Sequence, residues 1–85
     1  MERALPYISI IVLNYNSRQY LSDCFKSLRQ INYPRERYEV LMPDNASSDG
    51  SVEFVTKEFP WVTILTNDKN YGFAEGNNRA AAEAK

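Results

Sequence analysis

The sequence predicts an α/β fold, a Rossmann-like parallel three-stranded sheet with β-α-β-α-β-α order. Three observations carry this. Three short apolar runs rich in β-branched residues recur along the 85 residues. Between them, apolar side chains return at steps of three or four, the spacing of one helix face. No hairpin signal joins neighbouring runs, and alternation with short connections implies parallel strands joined by right-handed crossovers.

The first run, Tyr7-Ile8-Ser9-Ile10-Ile11-Val12-Leu13, is nearly continuous, as expected of a strand buried on both faces. Ser17 is placed to cap the helix that follows. In that helix Tyr20, Leu21, Cys24, Phe25, Leu28 and Ile31 form one apolar stripe. Asn32-Tyr33-Pro34 is its stop, because Pro34 cannot donate a helical bond and biases Tyr33 toward extended geometry. The second strand is expected over Tyr38 to Met42. Pro43 lacks a backbone donor, so ladder pairing is expected to end there. A second helix is predicted from about Ser51 to Phe59, closed by Pro60, and a third strand over Trp61 to Leu65. The Ala- and Glu-rich stretch from Phe73 to Lys85 reads as a helix. Three strands are few for a parallel sheet, so the chain reads as the opening half of a larger domain.

Composition bounds the function. Apolar residues at 44% and charged residues at 25% are ordinary globular values for a single small domain. A net charge of −1 provides no basic field for nucleic acid. The single Cys24 excludes an internal disulfide, and with no histidine a zinc site is disfavoured. A reducing, cytoplasmic setting fits. The apolar run Ile8 to Leu13 is too short for a signal peptide and has no small-residue cleavage site after it. Nothing approaches the ~20 apolar residues of a membrane span, so direct membrane insertion is not expected.

Phosphate-loop signatures fail: there is no Gly-x-x-x-x-Gly-Lys. The turn after the first run is Asn14-Tyr15-Asn16-Ser17, where a dinucleotide fold needs Gly-x-Gly-x-x-Gly. What remains is a repeated placement. Asn14 to Ser17, Asp44 to Ser51 and Asn67 to Asn70 each follow an apolar run, so three Asn- and Asp-rich turns share one rim. Open α/β sheets bind ligands at the C-terminal ends of their strands. Asp44 is either a turn-forming residue bonded to local amides or an acceptor for a ring N–H such as the imide of uracil or thymine. Asn14 and Asn16 close an Asx-turn or face a ligand. Tyr15 is core or an aromatic face for a base. Asp49 starts the second helix, where capping is its simplest role. The amides of Asn67, Asn70, Asn77 and Asn78 suit hydroxyls and phosphate oxygens. Gly72 and Gly76 would let backbone approach a ligand near a helix N-terminus. Cys24 reads as a small core hydrophobe, and Arg35-Glu36-Arg37 as a solvated loop.

Taken together, three segments resemble the N-terminus of family 2 glycosyltransferases of the GT-A fold. They are Ile8 to Asn16, Asp44-Asn45-Ala46-Ser47-Ser48-Asp49-Gly50-Ser51 and Asn70-Tyr71-Gly72-Phe73-Ala74-Glu75-Gly76-Asn77-Asn78. The last version is most similar to the rhamnosyltransferase-like branch. The resemblance implies that the chain is the N-terminal nucleotide-binding half of such a domain, with no catalytic residue of its own. The parent would move a sugar from a UDP- or dTDP-sugar to an acceptor hydroxyl with inversion, in polysaccharide biosynthesis. Leu13 (through its backbone), Asn14, Tyr15, Asp44, Asn45 and Asn77 would line the nucleotide-sugar site. Asn77 stands where many relatives carry Arg. The family's Asp-x-Asp motif, which holds Mg or Mn, and its general base are expected beyond residue 85. The isolated chain would then be inactive. The full protein could sit at a membrane through other parts. The resemblance further implies that the first strand lacks a neighbour, so self-association through that edge or the last helix is expected. The alternative reading is a non-catalytic α/β interaction or assembly module that keeps the fold.

Overall fold

The computed structural model describes residues 5–85. The leader-peptide reading falls partly on residues 1–4, outside the described residues. Strand β1 (Ile8–Ile11) leads into helix α1 (Arg18–Arg29), a 3-10 turn at Arg35–Arg37 and strand β2 (Tyr38–Asp44). Helix α2 (Ser51–Glu58), strand β3 (Thr63–Thr66) and helix α3 (Gly72–Glu83) complete the order, which is the β-α-β-α-β-α predicted. The sheet is parallel with β2 in the centre: Ile8 to Ile11 pair with Tyr38 to Leu41, and Leu41 to Asp44 pair with Thr63 to Thr66.

The side-chain alternation of β2 sorts the helices onto two faces. Val40 and Met42 are buried in a cluster with Leu21 and Phe25 of α1, Val55 of α2, and Phe59 and Val62. Leu41, equally buried but pointing the other way, lies on the side covered by α3, which packs on β2 and β1 and buries its Gly76 and Ala80. Aromatic rings fill the α1–α2 side. Phe25 and Phe59 lie 5.5 Å apart, and Trp61 meets both edge-on. Such pairs add ~0.5–1.5 kcal/mol each beyond their area. α1 and α2 on one face and α3 on the other give the doubly wound arrangement, in which the chain turns back over β1. Helix α3 therefore lies over the strand whose outer edge is open.

Several local expectations are corrected. β1 is not buried on both faces: Ile8 is exposed and Ser9 to Ile11 are half-buried, and among the described residues β1 has a partner strand on one side only. Pro43 does not end the ladder. Its carbonyl accepts the Asn14 N–H at 2.9 Å and pairing runs through Asp44, because a parallel strand can lose a donor and still accept. Tyr20 leaves the α1 stripe and is 67% exposed, while Leu21 and Phe25, one turn apart, carry the burial. Helix α1 ends at Arg29, ahead of Pro34, with Gln30 and Ile31 N–H groups bonding to Ser27 and Leu28 carbonyls in a tightened last turn. Ser17 makes no cap bond; its hydroxyl donates to the Tyr15 carbonyl instead. Cys24 is half-buried on α1, and burial pushes its thiol up from the ordinary value.

Candidate functional site: the β1 and β2 strand tips

Strands β1 and β2 end together. Beyond β1 the backbone of Asn14 bridges to Asp44, with the Asn45 N–H donating to the Asn14 carbonyl at 3.0 Å. This bridge brings two polar side chains into the interior: Asn14 is fully buried and Asp44 is 2% exposed. Burial of a carboxylate requires donors, and these come from both loops. Asn14 Nδ2 donates to Asp44 Oδ1 at 2.7 Å, Ser47 Oγ donates to the same oxygen at 2.8 Å, and the Ser47 N–H donates to Oδ2 at 2.9 Å. The turn-forming reading of Asp44 thus describes part of its bonding, and the cross-strand partner Asn14 is the rest.

The two loops are bolted to each other beyond this pair. Asn14 Nδ2 also reaches Ser47 Oγ at 3.1 Å, and the Asn16 N–H donates to that hydroxyl at 2.9 Å. The Ser48 N–H donates to Asn16 Oδ1 at 2.8 Å. Asn14 Oδ1 accepts from the Ser17 N–H at 3.2 Å, three residues on, one residue further along than the Asx-turn expected of it. Asp49 does more than open α2: it accepts from the Ser51 N–H at 3.0 Å and from the Arg18 N–H that begins α1, at 3.0 Å. It thereby replaces the absent Ser17 cap from across the chain. Two non-glycine residues of these loops are left-handed, Asn16 at φ 50° and Ala46 at φ 59°. For alanine that conformation costs on the order of 1 kcal/mol. Ala46 sits between the buried Asn45 and the doubly bonded Ser47, which hold it there.

Asn45 joins the third turn to the other two. Its Oδ1 accepts from Asn67 Nδ2 at 2.8 Å and its Nδ2 donates to the Gly72 carbonyl at 3.2 Å. Gly76 approaches so closely that a Cβ there would lie 2.7 Å from Leu13 Cδ1 and 3.0 Å from Asn45 Nδ2. Glycine at 76 serves helix–sheet packing over Leu13 and Asn45. Of the six residues read as site, Leu13, Asn14, Asp44 and Asn45 form one contiguous assembly across β1, β2 and α3. Tyr15 is adjacent in the chain and 48% exposed, an open aromatic face rather than core. Asn77 is half-buried on α3, with Nδ2 donating to the Phe73 carbonyl one turn back at 3.0 Å. Sequence reasoning missed Ser47 and Asn16 as clamps. The available signal was a hydroxyl three residues after Asp44, the spacing of a local side-chain-to-backbone turn.

Beside the rim, a groove of about 760 Å³ runs between the outer sides of α1 and α2, lined by Arg18, Ser47, Ser48, Phe54 and Lys57 among others. Arg18 stacks over Phe54 at 5.1 Å there. Among the described residues there is no group of three or more His, Cys, Asp or Glu that could hold a metal ion. Among them, no helix is long and apolar enough to cross a membrane.

The chain is similar to known proteins. Glycosyltransferase AglE of Haloferax volcanii is 32% identical over 82 residues, covering 92% of this chain and 27% of that protein. A mannosyltransferase from Pyrobaculum calidifontis, solved with GDP-Man and Mn2+, superposes with a TM-score of 0.84 at 27% identity over 94% of this chain and 25% of that one. TarS of S. aureus superposes with the same TM-score of 0.84 and 27% identity, over 93% of this chain and 15% of that one. The chain spans about a quarter of the length of the first curated relatives it matches. The family model described as glycosyl transferase family 2 matches residues 9–85, from the first strand to the end of the chain. With that match, and with GT-A enzymes as its structural neighbours, the chain belongs to glycosyltransferase family 2.

Proposed function

We propose that the β1–β2 rim binds the nucleotide of a UDP- or dTDP-sugar, as the donor half of a transferase that glycosylates an acceptor hydroxyl with inversion. The observation that carries this reading is the buried Asp44 carboxylate, held at the C-terminal tips of β1 and β2 by Asn14. A carboxylate accepts hydrogen bonds only, so it suits a base that presents a ring N–H. The exposed Tyr15 ring beside it offers a face for stacking. Leu13 and Asn45 fix the position of α3 relative to this rim, and Asn77 lies one turn along that helix. The reading extends to polysaccharide biosynthesis in a cytoplasmic setting.

One observation favours a second reading, a non-catalytic assembly module. Both Asp44 oxygens and both polar atoms of Asn45 already have protein partners, as a purely structural network would. Calorimetric titration separates the two. The donor reading expects UDP and dTDP to bind similarly. CDP, whose base lacks the imide proton, should bind at least about tenfold more weakly, the worth of one charge-assisted hydrogen bond. Asp44→Ala should abolish UDP binding. Equal binding of CDP, or no heat at millimolar nucleotide, leaves the assembly module.

A further inference from the structure

The solved mannosyltransferase neighbour holds a guanine nucleotide, so the fold by itself does not exclude guanine. We infer that Ser47 is a specificity-determining positioning residue, which leaves Asp44 one open acceptor direction and so admits bases with a single ring N–H. This rests on the donor-nucleotide reading above. An ionised carboxylate has about four lone-pair sites, two on each oxygen. Asn14 Nδ2 and Ser47 Oγ fill Oδ1, at 2.7 and 2.8 Å, and the Ser47 N–H takes one site of Oδ2 at 2.9 Å. A single site on Oδ2 remains.

Uracil and thymine present one N–H between two carbonyls, which one site satisfies. Guanine presents its ring N–H and exocyclic amine side by side, a pair that binds a carboxylate best through both oxygens. With Oδ1 full, one guanine donor would be desolvated without a partner, an unfavourable outcome beside a carboxylate as buried as Asp44. The clamp does not yield easily. The lone proton of the Ser47 hydroxyl goes to Asp44, and its oxygen accepts from Asn14 Nδ2 at 3.1 Å and the Asn16 N–H at 2.9 Å. Turning it aside breaks all of these at once.

The test is the ratio of UDP to GDP affinity, measured by calorimetry on the unaltered chain, Ser47→Ala, Ser47→Cys and Ser47→Thr. A general loosening of the loop weakens both nucleotides together and leaves the ratio alone. The unaltered chain is expected to favour UDP by at least about tenfold, and Ser47→Ala to narrow that preference about fivefold or more. Ser47→Cys, a weaker donor of similar volume, should fall between, and Ser47→Thr should keep the preference. UDP binding that depends on Asp44 but shows a ratio indifferent to Ser47, or no preference over GDP at all, overturns the role of Ser47 alone. Binding of neither nucleotide by the folded chain overturns the donor-nucleotide reading and this inference with it.

Discussion

Asn14 Nδ2 lies 2.7 Å from Asp44 Oδ1, and the two side chains, 30 residues apart in sequence, are buried against each other at adjacent strand tips. This bond is the cross-brace of the rim. Asn14→Ala would leave the Asp44 carboxylate short of a donor in the interior and remove the anchor of the Ser17 N–H. Loss of a buried partner costs about 1–3 kcal/mol, and a urea unfolding midpoint lowered accordingly is expected. An unchanged midpoint would mean that the brace contributes nothing to the fold.

Gly76→Ala should destabilise through overpacking. The added methyl would meet Leu13 Cδ1 at 2.7 Å and the Asn45 amide at 3.0 and 3.3 Å. Leu13 can move, but the Asn45 amide is held by Gly72 and Asn67, so α3 must shift. A loss of about 1–3 kcal/mol is expected in thermal or urea unfolding. Because the same contact aligns α3 with the rim, nucleotide binding should weaken in the variant even where it stays folded.

The topology was legible in the sequence because it depends on local patterns: β-branched runs, three-to-four spacing, and Pro or Gly at the breaks. The rim was legible as a place, since Asn and Asp clusters follow all three apolar runs; that Asn14, Asp44 and Asn45 are buried within it was not. Its wiring was not. Ser47 to Asn16, Asn14 to Asp44 and Asp49 to Arg18 each join residues about 30 positions apart, which no local pattern records. Pro43 misled for a related reason. Its missing donor is a local fact, whereas its carbonyl's partner, Asn14, is set by the neighbouring strand. Tyr20 misled because helical spacing gives the width of an apolar face but not its edge, and Tyr20 lies over that edge.

Asp49 should make stability depend on acid. Burial pushes its carboxyl up, but hydrogen bonds from Ser51 Oγ, the Arg18 N–H and the Ser51 N–H outweigh this and hold it below the ordinary carboxylate value. A carboxyl depressed in the folded state stabilises fully above its unfolded value, near pH 4, and loses that contribution as pH falls through the folded value. Asp49→Ala should therefore cost about 0.5–2 kcal/mol at pH 7, the range for a lost helix cap. The gap from the unaltered chain should narrow as pH falls through the acid range. A gap of constant size from pH 7 to pH 2 would show that the charge is not involved.

Strand β1 has a partner on one side only, and Ile8 at its outer end is 36% exposed. An open edge beside apolar side chains pairs readily with another chain. The 85-residue chain is expected to self-associate with rising concentration in light scattering, and Ile8→Lys to reduce this. A monomer at all concentrations would mean that the edge is covered by its own loops.

The central claim is that a pyrimidine nucleotide binds where the tips of β1 and β2 meet. An amide NMR titration with UDP reads this position directly. The account predicts that the largest shifts fall on residues 13–16 and 44–47, with smaller ones at the start of α3, and that Asp44→Ala removes them. Shifts confined to the α1–α2 groove around Phe54 and Lys57, or none at saturating UDP, would contradict it.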